Sequence, residues 1–169
     1  MKNRAYANKG QAFERLLIHS AAAYRRKNQA VIDKIPTSWI VQRAGKRIVS
    51  AFPEKKSGVD FLGIVATGRP IAIEAKSTNE RTRFPLSLIE DHQAAFLDQF
   101  HKLGGIAFVL IEFVKLGRVY RLPYSMLSEY LEAAANGGRK SIPVEEIENN
   151  CDEIRSKDGI PLHFLQGLL

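Results

Sequence analysis

Asp60, Glu74 and Lys76 are the residues whose types and spacing best suit a chemical reaction in this chain of 169 residues. Glu74 and Lys76 stand two apart in "PIAIEAKST". In an extended strand they share one face, while Ile71, Ile73 and Ala75 take the other. Asp60 belongs to "GVDFLGIVATGRPIAIEAKS", which reads as a β-hairpin with Ala66-Thr67-Gly68 as its loop. If Val65 closes against Arg69, Asp60 falls opposite Glu74, and Gly68 supplies the left-handed residue that a three-residue loop requires. A slip of one residue sends Asp60 to the opposite face and abolishes the arrangement.

Two carboxylates and an ammonium on one sheet face suit metal-dependent phosphodiester hydrolysis. Mg²⁺, with Mn²⁺ as its natural substitute, takes hard oxygen ligands and needs only one or two carboxylates beside a substrate phosphate. In this reading Asp60 and Glu74 hold the cation, and Lys76 orients water or faces developing negative charge. His and Cys clusters are missing from the sequence, which argues against zinc. An ordinary ion pair on a solvated strand uses the same residue types, so the elements around the three residues must decide.

Those elements predict an α/β sandwich with a mixed sheet. A first helix over about Asn8 to Asn28 carries Phe13, Leu16, Leu17, Ala21 and Tyr24 at helical spacing, with Asn8 as its cap. From Ala30 to Phe52 the pattern is β-like and basic, with a turn at Arg43-Ala44-Gly45-Lys46-Arg47. After the central hairpin, Ser87-x-x-Glu90 predicts a capping box for a helix carrying Ile89, Phe96, Leu97, Phe100 and Leu103, ended by Gly104-Gly105. "IAFVLIEF" is a continuous apolar run suited to a strand covered on both faces. "VYRLPY" pairs with it, a third helix starts at Ser125, and "IPV" forms a short strand. The apolar tail "IPLHFLQGLL" either packs back or meets a partner.

No repeat or linker divides the sequence, so it reads as one domain over 1–169. Charge is uneven. Through Lys56 the chain holds 13 of its 25 Lys+Arg but only 3 of its 18 Asp+Glu, so a polyanion, nucleic acid first, is the expected partner of that third. No apolar run suits a membrane helix, the N-terminus lacks a signal-peptide core, and the single Cys151 excludes an intrachain disulfide. A cytoplasmic location is expected.

The arrangement of an Asp before a hairpin and Glu-x-Lys after it resembles the PD-(D/E)XK nuclease superfamily. "NKGQAFERLL", "GVDFLGI", "IAIEAKSTNERTRFPL", "DHQAAFLDQF" and "GGIAFVLIEF" occur in the order seen in RecU-type Holliday-junction resolvases of bacteria and phages. That resemblance covers roughly Asn8 to Phe113 and extends more loosely to the archaeal junction resolvases. It implies a restriction-endonuclease-like core and a homodimer whose two sites nick symmetric strands of a four-way DNA junction. It also implies catalysis by Asp60, Glu74 and Lys76. Glu14 would complete the metal site, and Gln93 would support it. A stalk inserted between the first strands reaches into the junction in that group, and 34–52 occupies the matching place, in a shorter form. Arg43, Lys46, Arg47, Lys55 and Lys56 then become phosphate contacts around that projection, with Arg81 and Arg83 beyond the active strand. Ser57 stands close to Asp60 as a further contact. Trp39 is either a packing residue of the hairpin or a wedge against an unstacked base pair.

The expectation is a Mg²⁺-dependent endonuclease resolving four-way junctions, acting in a bacterial nucleoid or, for a phage protein, in the host cytoplasm. Two alternatives use the same residues. One is a restriction- or repair-type nuclease on linear duplex, and the other a non-catalytic module that binds branched nucleic acid.

Overall fold

The computed structural model describes residues 2–36, 39–53 and 58–169, with side chains from residue 10 onward except at 39 and 53. Helix α1 (Lys2–Arg26) leads into β1 (Ala30–Lys34). A hairpin, β2 (Trp39–Ala44) and β3 (Arg47–Pro53), follows as a sheet of its own. The central pair is β4 (Phe61–Val65) and β5 (Pro70–Thr78). Then come β6 (Arg83–Pro85), α2 (Asp91–Lys102), β7 (Ile106–Phe113), β8 (Arg118–Pro123), α3 (Tyr124–Ala135), β9 (Ser141–Pro143), α4 (Val144–Asn150) and β10 (Asp152–Glu153).

Six strands form the main sheet in the order β1-β4-β5-β7-β8-β10. Among the described strands only β5 and β7 run parallel, because α2 carries the chain back over the sheet between them. The sheet is therefore mixed and flanked by helices, as expected. Its two faces bury separate cores. On one, Phe13, Leu17, Ala21 and Tyr24 of α1 pack on Ile71, Ile73, Phe108 and Leu110. On the other, Leu97 of α2 and Leu127 of α3 pack on Ala72, Val109 and Ile111, joined by Phe84 and Ile142 of the β6–β9 ribbon. β7 is covered on both sides, which is why "IAFVLIEF" shows no alternation.

The apolar tail packs back. Ile160, Phe164 and Leu165 are fully buried against α1, where Leu162 N–H donates to Ser20 Oγ and Leu165 N–H to Tyr24 Oη, each at 2.9 Å. Arg121, itself buried, donates to the carbonyls of Phe164 and Gln166 at 2.8 Å and pairs with Asp152.

Several local expectations are corrected. Asn8 does not cap α1; the helix starts at Lys2, upstream of it, through Ala5 and Ala7, which are strong helix formers. Its end lies where a left-handed Asn28 (φ 55°) closes a Schellman turn, Gln29 N–H reaching the Tyr24 carbonyl at 3.0 Å. Leu16 is exposed, because the buried stripe is narrower than the apolar one. Ser87 does not start α2. Leu86 and Ile89 must both be buried, and a single 3₁₀ turn over Leu86–Leu88 achieves that, so the capping box moves to Glu90 and Gln93. Ile89 therefore precedes the helix, and Leu103 at its far end is exposed. Helix α4 and the β6–β9 ribbon add to the short strand expected at "IPV".

Candidate active site

The central hairpin has the register that places Asp60 opposite Glu74. Val65 N–H donates to the Arg69 carbonyl at 3.0 Å, Gly68 takes φ 80°, and Phe61 pairs with Ile73. Asp60 itself sits one residue before β4, where two hydrogen bonds and the packing of the residues before it hold it in place. Its carbonyl accepts from Ile35 N–H at 2.8 Å, and its Oδ2 accepts from Ala75 N–H at 2.9 Å. Val59 beside it is buried in the α2-side core. Gly58 lies so close to the Phe96 ring that a Cβ there would come within 2.4 Å of it, so the approach to Asp60 lies flat on α2.

Glu74 is the singular residue of the site. It is only 1% exposed, on the α2 side of the sheet. One oxygen, Oε1, faces two donors: Gln93 Nε2 at 2.6 Å and Lys76 Nζ at 2.8 Å. The other, Oε2, is buried with no hydrogen-bond partner. Burial pushes the Glu74 carboxyl up to about 7, the neighbouring Asp60 charge adds to the rise, and Lys76 opposes it. A carboxyl held this way next to a second carboxylate and an ammonium is typical of reaction centres.

Gln93 comes to Glu74 from the first turn of α2. Its Oε1 accepts from Glu90 N–H at 3.0 Å while its amide nitrogen serves Glu74. Glu90-x-x-Gln93 has the capping-box spacing in the sequence, though Ser87 is the more usual cap residue type.

Glu14 is not brought into this group. It pairs with Lys34 of β1, and α1 packs on the sheet face opposite to Glu74. Among the described residues no three His, Cys, Asp or Glu side chains gather closely enough to hold a metal, so the expected trio of Asp60, Glu74 and Glu14 is not assembled. The pair Asp60 and Glu74 nevertheless fits a hard divalent cation. Both offer carboxylate oxygens, and the unpartnered, buried Oε2 is a polar atom that lacks the donor or cation it would normally have.

Of the predicted DNA contacts, Arg43, Lys46 and Arg47 are exposed on the β2–β3 hairpin, around a turn where Gly45 takes φ 60°. The hairpin occupies 39–53 rather than 34–52, because Lys34 still belongs to the main sheet. Ile48 and Val49 are also exposed on it. Arg81 and Arg83 are exposed beyond β5, Arg83 lying 3.9 Å from Glu80. Lys55, Lys56, Ser57 and the side chain of Trp39 lie outside the described residues.

With this geometry in place, comparison with known proteins is decisive. The model of the family Recombination protein U (RecU) matches residues 8–169. The chain belongs to the RecU family. A Holliday junction resolvase RecU from Pediococcus pentosaceus is 36% identical over 149 residues, covering 85% of this chain and 74% of that protein. A Holliday junction resolvase RecU from Listeria innocua is 32% identical over 169 residues, covering 96% and 84% respectively. Among solved structures, Hjc, a Holliday junction resolvase from Archaeoglobus fulgidus, aligns with a TM-score of 0.42 at 17% identity, over 70% of this chain and 75% of that one. In RecU-family terms, the resemblance seen in five sequence blocks extends to the C-terminal segment as well. Among the described residues no helix is long and apolar enough to cross a membrane.

Proposed function

We propose that this RecU-family chain is a divalent-metal-dependent endonuclease that resolves four-way DNA junctions, Mg²⁺ being its cation and a homodimer its working form. The observation that carries the chemistry is Glu74: a buried carboxylate with one oxygen held by Lys76 and Gln93 and the other bare, beside Asp60. A surface ion pair would be solvated on both oxygens. Family membership, with relatives named Holliday junction resolvases, supports the substrate class.

Asp60 and Glu74 would hold the cation, which when bound supplies Lewis acidity to the scissile phosphate and to water beside it. To hold the cation, Glu74 would have to be deprotonated, against the burial that raises its carboxyl to about 7. Lys76, 18% exposed, holds its ammonium 2.8 Å from Glu74 Oε1. From there it orients the attacking water or faces the charge that develops on the phosphate. Gln93 supports Glu74 from behind. Glu14, one of whose oxygens is held by Lys34, would complete the site only by reaching round the end of β4. The exposed cations of the β2–β3 hairpin would meet junction phosphates, with recognition by shape rather than by sequence.

The test is cleavage of a labelled immobile four-way junction and a linear duplex of equal length, with Mg²⁺ or EDTA, by wild type and Asp60→Asn. Paired symmetric nicks in the junction alone, lost with EDTA and in the variant, are expected. Equal cutting of the duplex would leave a nuclease but reject junction selectivity. Tight junction binding without cutting in Mg²⁺ or Mn²⁺ would reject the nuclease.

A further inference from the structure

We infer that the β6–β9 ribbon is a second phosphate-binding track, which grips a duplex arm beside the active site through Arg81, Arg83, Arg139 and Lys140. This rests on the DNA-binding reading above and deepens it. The ribbon is anchored on the sheet face that carries Glu74 and Lys76: Phe84 and Ile142, its central pair, are fully buried in the α2-side core. Two bonds carry its pairing past both ends. Leu86 N–H donates to the Lys140 carbonyl at 3.1 Å, and Val144 N–H to the Thr82 carbonyl at 2.9 Å. With Phe84 inward, alternation turns Arg83 outward. Arg139 and Lys140 follow the end of α3, where Gly137 (φ 84°) closes a Schellman turn and Gly138 N–H donates to the Ala133 carbonyl at 2.8 Å. A Cβ on Gly138 would come within 2.7 Å of that carbonyl oxygen, so a side chain there would force the turn apart.

All four cations are exposed, and Arg81, Arg139 and Lys140 make no ion pair or side-chain hydrogen bond among the described residues. Arg83 has only a loose pair, 3.9 Å from Glu80. Arg83 and Arg139 come from distant segments to line one open cleft of about 550 Å³, together with Thr82. Glu80, Glu145 and Glu146 line it too, so its interior does not suit an anion. A duplex lying across the cleft meets the arginines without entering it, and Arg81 and Lys140 extend the track on either strand of the ribbon. Its place in the chain suits the reaction. Arg81 follows Lys76 by five residues, which puts it within about 18 Å of that lysine, or roughly five base-pair rises. The β2–β3 hairpin leaves the sheet at the same end, between β1 and β4, whereas the ribbon continues from β5. DNA at Asp60 and Glu74 is thus held from two directions. The backbone beneath the ribbon cations is already ordered, which lowers the cost of binding.

The alternative is that these cations only balance the three glutamates. Binding of a labelled four-way junction and of a linear duplex, measured in EDTA over about 50–200 mM salt, separates the two. Arg139→Gln combined with Lys140→Gln removes two exposed side chains and leaves the core untouched. It should weaken binding of either DNA about tenfold at about 100 mM salt. The slope of log K against log salt should become shallower by about 1.8, or about 0.9 for each lost phosphate contact. Lys27→Gln combined with Lys102→Gln removes the same charge at the opposite end of the sheet, just before β1 and β7 begin. That control should bind within about twofold of wild type, with an unchanged slope. Glu145→Gln combined with Glu146→Gln should tighten binding about twofold or more, since two like charges leave the neighbourhood of the phosphates. A ribbon variant that binds as wild type does, a control weakened as much as the ribbon variant, or no tightening on loss of the glutamates would overturn the inference and leave the nuclease reading intact. Wild type that binds neither DNA would overturn both.

Discussion

Replacing Glu74 by Gln should stabilise the metal-free protein above neutral pH, although it removes a central group of the proposed reaction. The Glu74 carboxyl is almost wholly buried and is raised from 4.5 to about 7, first by burial and then by Asp60, against the pull of Lys76. The folded state thus binds this proton more tightly than the unfolded chain does. Below about pH 4.5 both states are protonated and folding loses nothing. Between 4.5 and 7 the folded state holds more protons, so stability falls as pH rises, and above 7 the full penalty applies. At about 1.4 kcal/mol for each tenfold change in proton affinity, the penalty has a ceiling of about 3 kcal/mol. The amide introduced by Glu74→Gln would still accept from Gln93 but would leave Lys76 facing a neutral group, which offsets part of the gain. We therefore expect about 1–3 kcal/mol of stabilisation at pH 8 and about zero at pH 4. For a chain of this size that corresponds to a Tm about 3–8 °C higher at pH 8. The assay is thermal and urea unfolding of both proteins in EDTA from pH 4 to 8.5, repeated with Mn²⁺. Added cation should stabilise wild type as binding linkage requires and leave the variant unmoved. A variant less stable than wild type at pH 8, or a difference that does not vary with pH, would refute the reasoning.

Three further outcomes follow from the same geometry. Arg43→Ala, Lys46→Ala and Arg47→Ala combined should reduce the slope of log K against log salt for junction binding by about 0.9 for each phosphate that the hairpin neutralises; an unchanged slope would remove the hairpin from the interface. Arg121→Met, which leaves the Phe164 and Gln166 carbonyls without their donor, should cost about 2–4 kcal/mol in urea unfolding. Asp152→Asn should cost under about 1 kcal/mol, because Asp152 is half-exposed, and equal losses in the two variants would contradict this. Glu14→Gln should shift stability by less than about 1 kcal/mol, since its pair with Lys34 is partly solvated; if Glu14 nonetheless acts at the metal as the family resemblance implies, the same variant lowers junction cleavage about tenfold or more. Undiminished cleavage would exclude Glu14 from the reaction.

The parts of the site legible in sequence are those that local geometry controls. Alternation with period 2 fixed Glu74 and Lys76 on one face, and a loop ending in Gly68 left one comfortable register, which brought Asp60 opposite Glu74. What stayed hidden depends on contacts between distant segments. Nothing near Ser87 shows that Leu86 and Ile89 must be buried together, and that burial is what displaces the helix start to Glu90 and sets Gln93 over Glu74. Likewise, the stripe of α1 shows that a face is buried, but not which side of the sheet receives it. The outcome matters for Glu14, because α1 takes the side that Glu74 and Lys76 do not face. Glu14 and Glu74 are thus separated by the sheet itself. They can meet only round its end, where Lys34 pairs with Phe61 next to Asp60. Lys34 already holds Glu14 Oε2 at that end, so a role of Glu14 in metal binding uses its other oxygen or requires this ion pair to open. Lys34→Ala should therefore free Glu14 and tighten Glu14-dependent Mn²⁺ binding; if the affinity instead stays as in wild type, the ion pair is not what keeps Glu14 from the cation.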